Sequence, residues 1–168
     1  MDKSGANQYT RPQDTRFSVV ETMFRGSASA KIDDKGRLKV PTEFRRHIEE
    51  SYGTELFITS VLGDSAFVFP LPVWEEREAR LQALPSTDPV KSRYLERVSY
   101  FGQQTELDGQ GRVVIPQILR DAAGMEGDVV VSARLDHLVV WNADRLRKRF
   151  AEQPFTDDDF KYLSDRGV

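Results

Sequence analysis

Cysteine is absent from this chain of 168 residues, and histidine occurs only twice. A chain without cysteine has no disulfide, no thiolate nucleophile and no cysteine-bound zinc site. Two histidines leave little for a histidine-based metal site, and we expect neither a metal nor another cofactor. The composition, with 39% hydrophobic and 30% charged residues, is typical of a soluble globular protein.

A long apolar run is also missing. The longest, residues 66–74, is interrupted by Pro70 and Pro72 and is far too short for a spanning helix. Residues 1–22 are polar and lack the apolar core of a signal peptide. We therefore expect a cytoplasmic protein with no membrane partner, in which residues 1–22 form a disordered extension.

A basic surplus, which nucleic-acid-binding proteins usually have, is absent as well, because the formal net charge is −3. The charges are unevenly distributed, however. Residues 24–47 contain seven basic and three acidic side chains, whereas residues 50–90 contain two basic and seven acidic ones. The overall charge therefore averages a basic segment and an acidic one, and it does not exclude a nucleic-acid partner.

Two segments with the same pattern lie 75 residues apart. Residues 33–41, DDKGRLKVP, match residues 108–116, DGQGRVVIP, with identical Asp, Gly, Arg and Pro positions. An aromatic residue and a glycine precede each segment, and an amphipathic stretch follows it. Because the order of features recurs, the chain contains two copies of one unit rather than one repeated motif.

Each unit predicts the same series of elements. An Asp-x-x-Gly turn joins two short strands, since Asp hydrogen-bonds its own backbone and Gly tolerates positive φ. A proline then occupies the first helical position, where its missing N–H costs nothing, and two more strands end the unit. The predicted strands are 27–32, 37–40, 56–60 and 66–69, then 103–107, 112–115, 129–133 and 138–141; the predicted helices are 42–50 and 117–123.

Units of about 50 residues bury too little surface to be stable alone. We therefore predict one α+β, mainly β body in which the two units pack around a pseudo-two-fold axis and exchange hairpins. Capping signals predict helices that start at Asp88, Asn142 and Thr156. The predicted boundaries are 23–84 for the first unit, 85–99 for a helical connector, 100–150 for the second unit and 151–168 for a tail with a short helix.

The sequence contains none of the common catalytic motifs. GQG at 109–111 begins like a dinucleotide-binding fingerprint, but Val114 stands where the last glycine belongs and the segment precedes a strand. No phosphate-binding loop and no nucleophile elbow occurs. We expect His47, on an amphipathic helix, and His137, in a tight turn, to be surface residues. The sequence therefore predicts a protein that is not an enzyme.

The Asp-x-x-Gly-Arg segments admit two interpretations. In the first, they are structural turns in which Asp33 and Asp108 cap the turn and the arginine forms an ion pair. In the second, the aspartates order the turn so that Arg37 and Arg112 present fixed guanidinium groups to a ligand. The first explains the Asp and Gly positions but does not explain why Arg follows Gly in both copies.

Four basic side chains in the first copy alternate by about two residues. They are Lys31, Lys35, Arg37 and Lys39. Alternate residues of a strand share one face of a sheet, and a basic face is what contacts to phosphates require. A solvated charged face is the other interpretation.

These residues together resemble the MraZ family of bacterial transcriptional regulators. The resemblance rests on MFRG at 23–26, IDDKGRLKVP at 32–41, FPLPVW at 69–74 and DGQGRVVIP at 108–116, and it extends over about residues 23–150. It implies two tandem AbrB-like, swapped-hairpin units that form a pseudo-two-fold β-barrel with short flanking helices. It also implies that several chains join in a closed homo-oligomeric ring.

The resemblance further implies double-stranded DNA as the partner, at short G-rich direct repeats upstream of the division and cell-wall gene cluster that includes the family's own gene. It gives the DNA-binding role to the two Asp-x-x-x-Arg pairs, in a nucleoid-associated protein. Gln110 stands where the first copy has Lys35, so the two copies are not equivalent. With the neighbouring basic positions, the predicted DNA-binding set is Arg25, Lys31, Asp33, Lys35, Arg37, Lys39, Asp108 and Arg112.

An AbrB-like antitoxin, or a structural ring protein that binds a protein partner, is the main alternative. Antitoxins with this kind of unit end in a long disordered segment that wraps the toxin, whereas this chain ends soon after its second copy. We therefore expect DNA as the principal partner.

Overall fold

The structure is a computed structural model that describes residues 23–168. The extension predicted for residues 1–22 lies outside the described residues. In chain order the elements are β1 (Ser27–Ile32), β2 (Arg37–Lys39), α1 (Thr42–Ser51), β3 (Glu55–Thr59), β4 (Ala66–Pro70), α2 (Leu71–Ala83), α3 (Pro89–Tyr100), β5 (Gln103–Glu106), β6 (Arg112–Val114), α4 (Gln117–Ala123), β7 (Gly127–Arg134), β8 (His137–Asn142), α5 (Ala143–Glu152) and α6 (Asp157–Ser164).

The eight strands form one antiparallel sheet in the order β5-β3-β4-β8-β7-β1-β2-β6. Its two end strands meet where the Asp108 amide donates to the Arg112 carbonyl at 2.9 Å. The sheet therefore almost closes into a barrel. The predicted fold class is confirmed.

The two units are interleaved within the sheet. β1 pairs with β7 along all six of its residues, and β5 pairs with β3, so the first strand of each unit bonds to the third strand of the other. β2 pairs with β6, and β4 with β8, across the pseudo-two-fold axis. Because the units share one sheet, the domain boundaries at 84, 99 and 150 stay predictions.

The core lies inside the barrel and under two helices. The larger cluster includes Leu38, Ile48, Ile115 and Leu119, all almost fully buried. A smaller cluster contains Phe69, Val73, Trp74 and Val98. It packs α2 and α3 against the outer side of β3 and β4, where the Phe57 and Trp74 rings stack at 4.5 Å.

The predicted helix caps at Asp88, Asn142 and Thr156 are confirmed. Asp88 Oδ1 accepts from the Val90 amide at 2.8 Å, and the Asn142 side chain accepts from two amides of α5. Thr156 and Asp159 form a reciprocal capping box.

The two repeated prolines do not occupy the first helical position that was predicted for them, but the position before it. Pro41 and Pro116 are the N-cap residues of α1 and α4, with ψ of 138° and 140°, and each helix begins at the next residue. Each proline carbonyl still accepts the first helical hydrogen bond, from Arg45 and Arg120, both at 2.9 Å. The extended ψ lets the chain leave the strand before it turns into the helix.

His137 differs from the prediction of a surface position. His137 is 5% exposed, its ring stacks on Phe69 at 4.3 Å, and Nδ1 lies 2.8 Å from Asp136 Oδ1. The pKa of His137 is lowered, mainly by burial, although the Asp136 carboxylate acts in the opposite direction. His47 is only partly exposed, because its ring packs edge-on against Phe24 at 4.7 Å.

Candidate nucleic-acid interface

Each Asp-x-x-Gly-Arg segment forms a tight turn at the end of a hairpin. In the first copy, the Gly36 amide donates to the Asp33 carbonyl at 3.0 Å, and the Asp33 amide donates to the Arg37 carbonyl at 3.0 Å. Gly36 has φ of +78°, which a residue with a side chain rarely adopts. The second copy repeats both bonds between Asp108, Gly111 and Arg112.

The Asp33 carboxylate holds both the turn and the arginine. Oδ1 accepts from the amides of Lys35 at 3.0 Å and Arg37 at 2.8 Å, while Oδ2 accepts from Arg37 Nε at 2.7 Å. A side chain bonded in this way has fewer orientations, so the guanidinium is pre-oriented. Oδ1 therefore caps the turn and Oδ2 forms the ion pair, as the first interpretation expects, and the same ion pair fixes the guanidinium, as the second requires.

The second copy has the same geometry. Asp108 Oδ1 accepts from the amides of Gln110 and Arg112 at 2.8 and 2.9 Å, and Oδ2 accepts from Arg112 Nε at 2.9 Å. Backbone hydrogen bonds from the two arginine amides are the main cause of a lowered pKa at Asp33 and Asp108. Both carboxylates are therefore ionised at neutral pH, and the order they provide is lost only as the pH falls below their ordinary value of 3.8.

The two arginines lie on one face of the ribbon formed by β2 and β6. Arg37 pairs with Val114, and Lys39 pairs with Arg112. Leu38 and Val113, between them, point into the core, so the flanking residues point outward. We call the four outward residues Arg37, Lys39, Arg112 and Val114 the ribbon face.

The guanidinium groups on the ribbon face keep donors for a ligand. The side chains of Arg37 and Arg112 are 30% and 28% exposed. Within the described residues their side chains bond only through Nε, to the aspartates. Each guanidinium thus keeps its two Nη groups, which suit paired acceptors such as two phosphate oxygens or the O6 and N7 of guanine.

Two further arginines, one from each unit, contact the turn of the opposite unit. Arg45 of α1 lies against the second turn, where Nη2 donates to the Gly109 carbonyl at 3.2 Å. A Cβ at Gly111 would overlap the Arg45 side chain, and a Cβ at Gly36 would overlap the Arg120 guanidinium. Neither arginine is among the predicted site residues, although Arg45 and Arg120 are themselves 75 residues apart.

The other predicted site residues are not all near the ribbon face. Lys35 is exposed in the first turn, next to the motif. Lys31 lies on β1 and forms an exposed ion pair with Asp128 at 3.9 Å. Arg25 precedes β1 at its other end, about 25 Å of extended chain from Asp33. Six of the eight predicted residues therefore gather at the two turns and the ribbon between them.

Two features are absent from the part of the chain that the structure describes. No group of three or more His, Asp or Glu side chains there could hold a metal ion. No helix between residues 23 and 168 is both long enough and apolar enough to cross a bilayer.

The fold and the two turns define a class of protein. It is a pseudo-two-fold barrel of two AbrB-like, swapped-hairpin units, and its β2–β6 ribbon exposes basic side chains. A family model described as "MraZ protein, putative antitoxin-like" matches residues 23–97 and 102–164. The chain belongs to the MraZ family.

Curated relatives agree with this assignment. The "Transcriptional regulator MraZ" of Koribacter versatilis is 48% identical over 87% of this chain and its own full length. The protein of the same name from Acidobacterium capsulatum is 43% identical over the same shares. That of Deinococcus radiodurans is 41% identical over 68% of this chain and 78% of its own. These relatives are named as regulators of transcription, not as enzymes.

Proposed function

We propose that this protein is a transcriptional regulator that binds double-stranded DNA in a sequence-specific manner through the ribbon face and the two turns beside it. The supporting observation is that two arginines from separate repeats lie on one exposed ribbon, each oriented by its own aspartate. The targets are short G-rich direct repeats upstream of the division and cell-wall gene cluster, including the protein's own gene. The protein would act at the nucleoid.

A ribbon of two paired strands is a structure that can recognise DNA. The major groove of B-DNA admits a two-stranded β-ribbon, and a bidentate contact from arginine to guanine is its commonest specific contact. Arg37 and Arg112 would recognise bases, while Lys35 and Lys39 would contact phosphates, which position the protein without recognising sequence. The negative charges of Asp33 and Asp108 would be offset near the DNA, because each carboxylate is bonded to its arginine.

The two copies would contribute unequally. Lys35 of the first copy corresponds to Gln110 in the second, and Lys39 corresponds to Val114. Both lysines are exposed. The first copy would therefore supply most of the phosphate contacts.

A closed homo-oligomeric ring completes the proposal. A ring repeats the same DNA-binding surface, so adjacent subunits would each take one direct repeat. Linked binding of this kind converts a modest affinity for one repeat into a high affinity for several.

The direct test is a pulldown of genomic DNA with the full chain, followed by sequencing and by anisotropy titrations with the recovered repeats. Enrichment of G-rich direct repeats upstream of the division cluster, and weaker binding to shuffled repeats, would support the proposal. Recovery of random genomic fragments with equal affinity for shuffled DNA would contradict sequence-specific regulation.

DNA affinity should depend strongly on salt. The two lysine–phosphate contacts per subunit predict a decrease of about tenfold in affinity for a single repeat between 50 and 200 mM salt, because each phosphate contact releases condensed counterions. Anisotropy titrations across this range measure the slope of log affinity against log salt. The double variant Lys35→Ala/Lys39→Ala should reduce that slope by about two, and an unchanged slope would remove these lysines from the interface.

The substitution Asp33→Asn separates the two tasks of the carboxylate. Asparagine keeps an oxygen for the amides of Lys35 and Arg37, but its amino group cannot accept from Arg37 Nε. We expect an intact turn and about tenfold weaker binding to a single repeat, comparable with the loss of one charge-assisted contact.

Asp34→Asn is the matched control, since it removes the same charge from the neighbouring exposed residue. If Asp33→Asn bound a single repeat as tightly as Asp34→Asn does, the orientation of Arg37 by Asp33 would be irrelevant to recognition. Unfolding curves of the two variants show whether the turn survives.

The family description also mentions antitoxins, so a protein partner is the second candidate. The same pulldown, analysed for protein, distinguishes the two candidates. A stoichiometric protein partner that displaces DNA would favour an antitoxin-like role.

A further inference from the structure

The C-terminal segment, residues 155–164, has its own local structure and exposed apolar side chains. Thr156 and Asp159 cap α6, and the rings of Phe155 and Phe160 pack edge-to-face at 4.7 Å. Phe155 and Phe160 are nevertheless 58% and 64% exposed. Tyr162 is exposed as well.

Within the described chain, this segment bonds only to its own neighbourhood. The hydrogen bonds and ring contacts of residues 155–168 all join members of that range. An eight-residue helix is too short to be stable in water without packing. The apolar side of α6 is therefore complete only when another surface covers it.

A suitable surface lies between α2 and α3. A groove of about 450 Å³ has a floor of apolar side chains, Leu81, Leu84, Val90 and Tyr94, of which Val90 is 62% exposed. Its charged lining contains three basic residues, Arg77, Arg80 and Lys91, and one acidic residue, Asp88, so the border of the groove is basic on balance. The segment has the opposite charge, since three consecutive aspartates, 157–159, form the first turn of α6.

The groove and the segment of one chain do not meet. The lining of the groove contains no residue of 155–164, and the segment has no hydrogen bond or ring contact with α2 or α3. The complementary pair is therefore available between two copies of the chain.

We propose that the C-terminal segment of one chain binds the α2–α3 groove of a second copy, with Phe155 and Phe160 on its apolar floor and the aspartates beside its basic border. This inference rests on the homo-oligomer of the proposed function and identifies the surfaces that join it. The contact is heterologous, since each chain offers a segment to one neighbour and a groove to the other. Repeated contacts of this kind close into a ring when the rotation permits.

The test uses two complementary full-length variants and mass photometry. Phe155→Ala/Phe160→Ala removes the apolar side chains of the segment, and Leu84→Glu/Val90→Glu places acid in the groove. Each variant alone should lose higher assembly, with self-association about thirtyfold weaker for each anchoring side chain lost. Mixed in equal amounts, they should form heterodimers only, because each pair retains one intact segment and one intact groove.

Phe150→Ala is the matched control, since Phe150 is an equally exposed aromatic residue outside the segment. A wild-type chain that stays monomeric would contradict the ring itself. A wild-type oligomer that both variants reproduce, or a mixture without heterodimers, would overturn only the segment-to-groove contact. Binding to a single DNA repeat should be unchanged in both variants and reports separately on the ribbon face.

Discussion

Arg37→Ala should weaken binding to a single G-rich repeat by about tenfold to a hundredfold, the contribution of one bidentate arginine–guanine contact. The loss should be greater on DNA with several repeats, because every subunit of a ring would lose the same contact. Anisotropy or mobility-shift titrations with one and with several repeats measure both values. Size exclusion should show an unchanged oligomer, since the Arg37 side chain bonds only to Asp33 within the described residues.

Two control variants make the result specific. Arg147→Ala removes an arginine on α5, away from the ribbon face. Like Arg37, this arginine forms an ion pair with a nearby aspartate, Asp144. It should bind DNA like the wild type. Arg112→Ala measures the contribution of the second copy. Normal binding by Arg37→Ala would contradict the assignment of Arg37 to the recognition surface.

Leu38→Ala should reduce the free energy of unfolding by about 2 to 5 kcal/mol, the usual cost of a cavity left by a buried leucine. Leu38 is 1% exposed and lies on the inner side of the ribbon, opposite Val113. That cost is a large fraction of the total stability of a domain of this size, about 5 to 15 kcal/mol. Urea denaturation followed by circular dichroism measures it.

The adjacent residue, Lys39, should affect stability and DNA binding in the opposite way. Lys39 points outward, so Lys39→Ala should change the stability by no more than about 0.5 kcal/mol and should weaken DNA binding. A similar loss of stability in both variants would contradict the in-and-out alternation of β2, and with it the ribbon face.

The hairpins and helix caps were predictable because they depend on residues close together in the sequence. The turn at Asp33 needs a carboxylate that bonds amides two and four residues later, and the spacing shows this directly. The caps at Asp88 and Thr156 follow the same local rule.

The candidate site was only partly predictable. The lysine at position 31 has the right alternation, but it lies on the next strand beside Asp128. Arg25 belongs to the same basic stretch of sequence as Asp33, but the two residues lie at opposite ends of β1. Arg45 and Arg120 contact the turns of the opposite unit, and no local pattern indicates such a contact. His137 was wrongly placed at the surface because its burial depends on Phe69, which is distant in sequence.

The sequence by itself determined the two repeats, their turns and the aspartate–arginine pairs, since these are set by local hydrogen bonds and by residues with restricted backbone conformations. Only the tertiary structure decided which strands pair, and with them which side chains share a surface. The register of β2 against β6 places Lys39 opposite Arg112 and Arg37 opposite Val114. A shift of one residue would turn these side chains to the other face of the sheet. Burial of Leu38, Val113 and the rest of the shared core selects the register that leaves both arginines exposed.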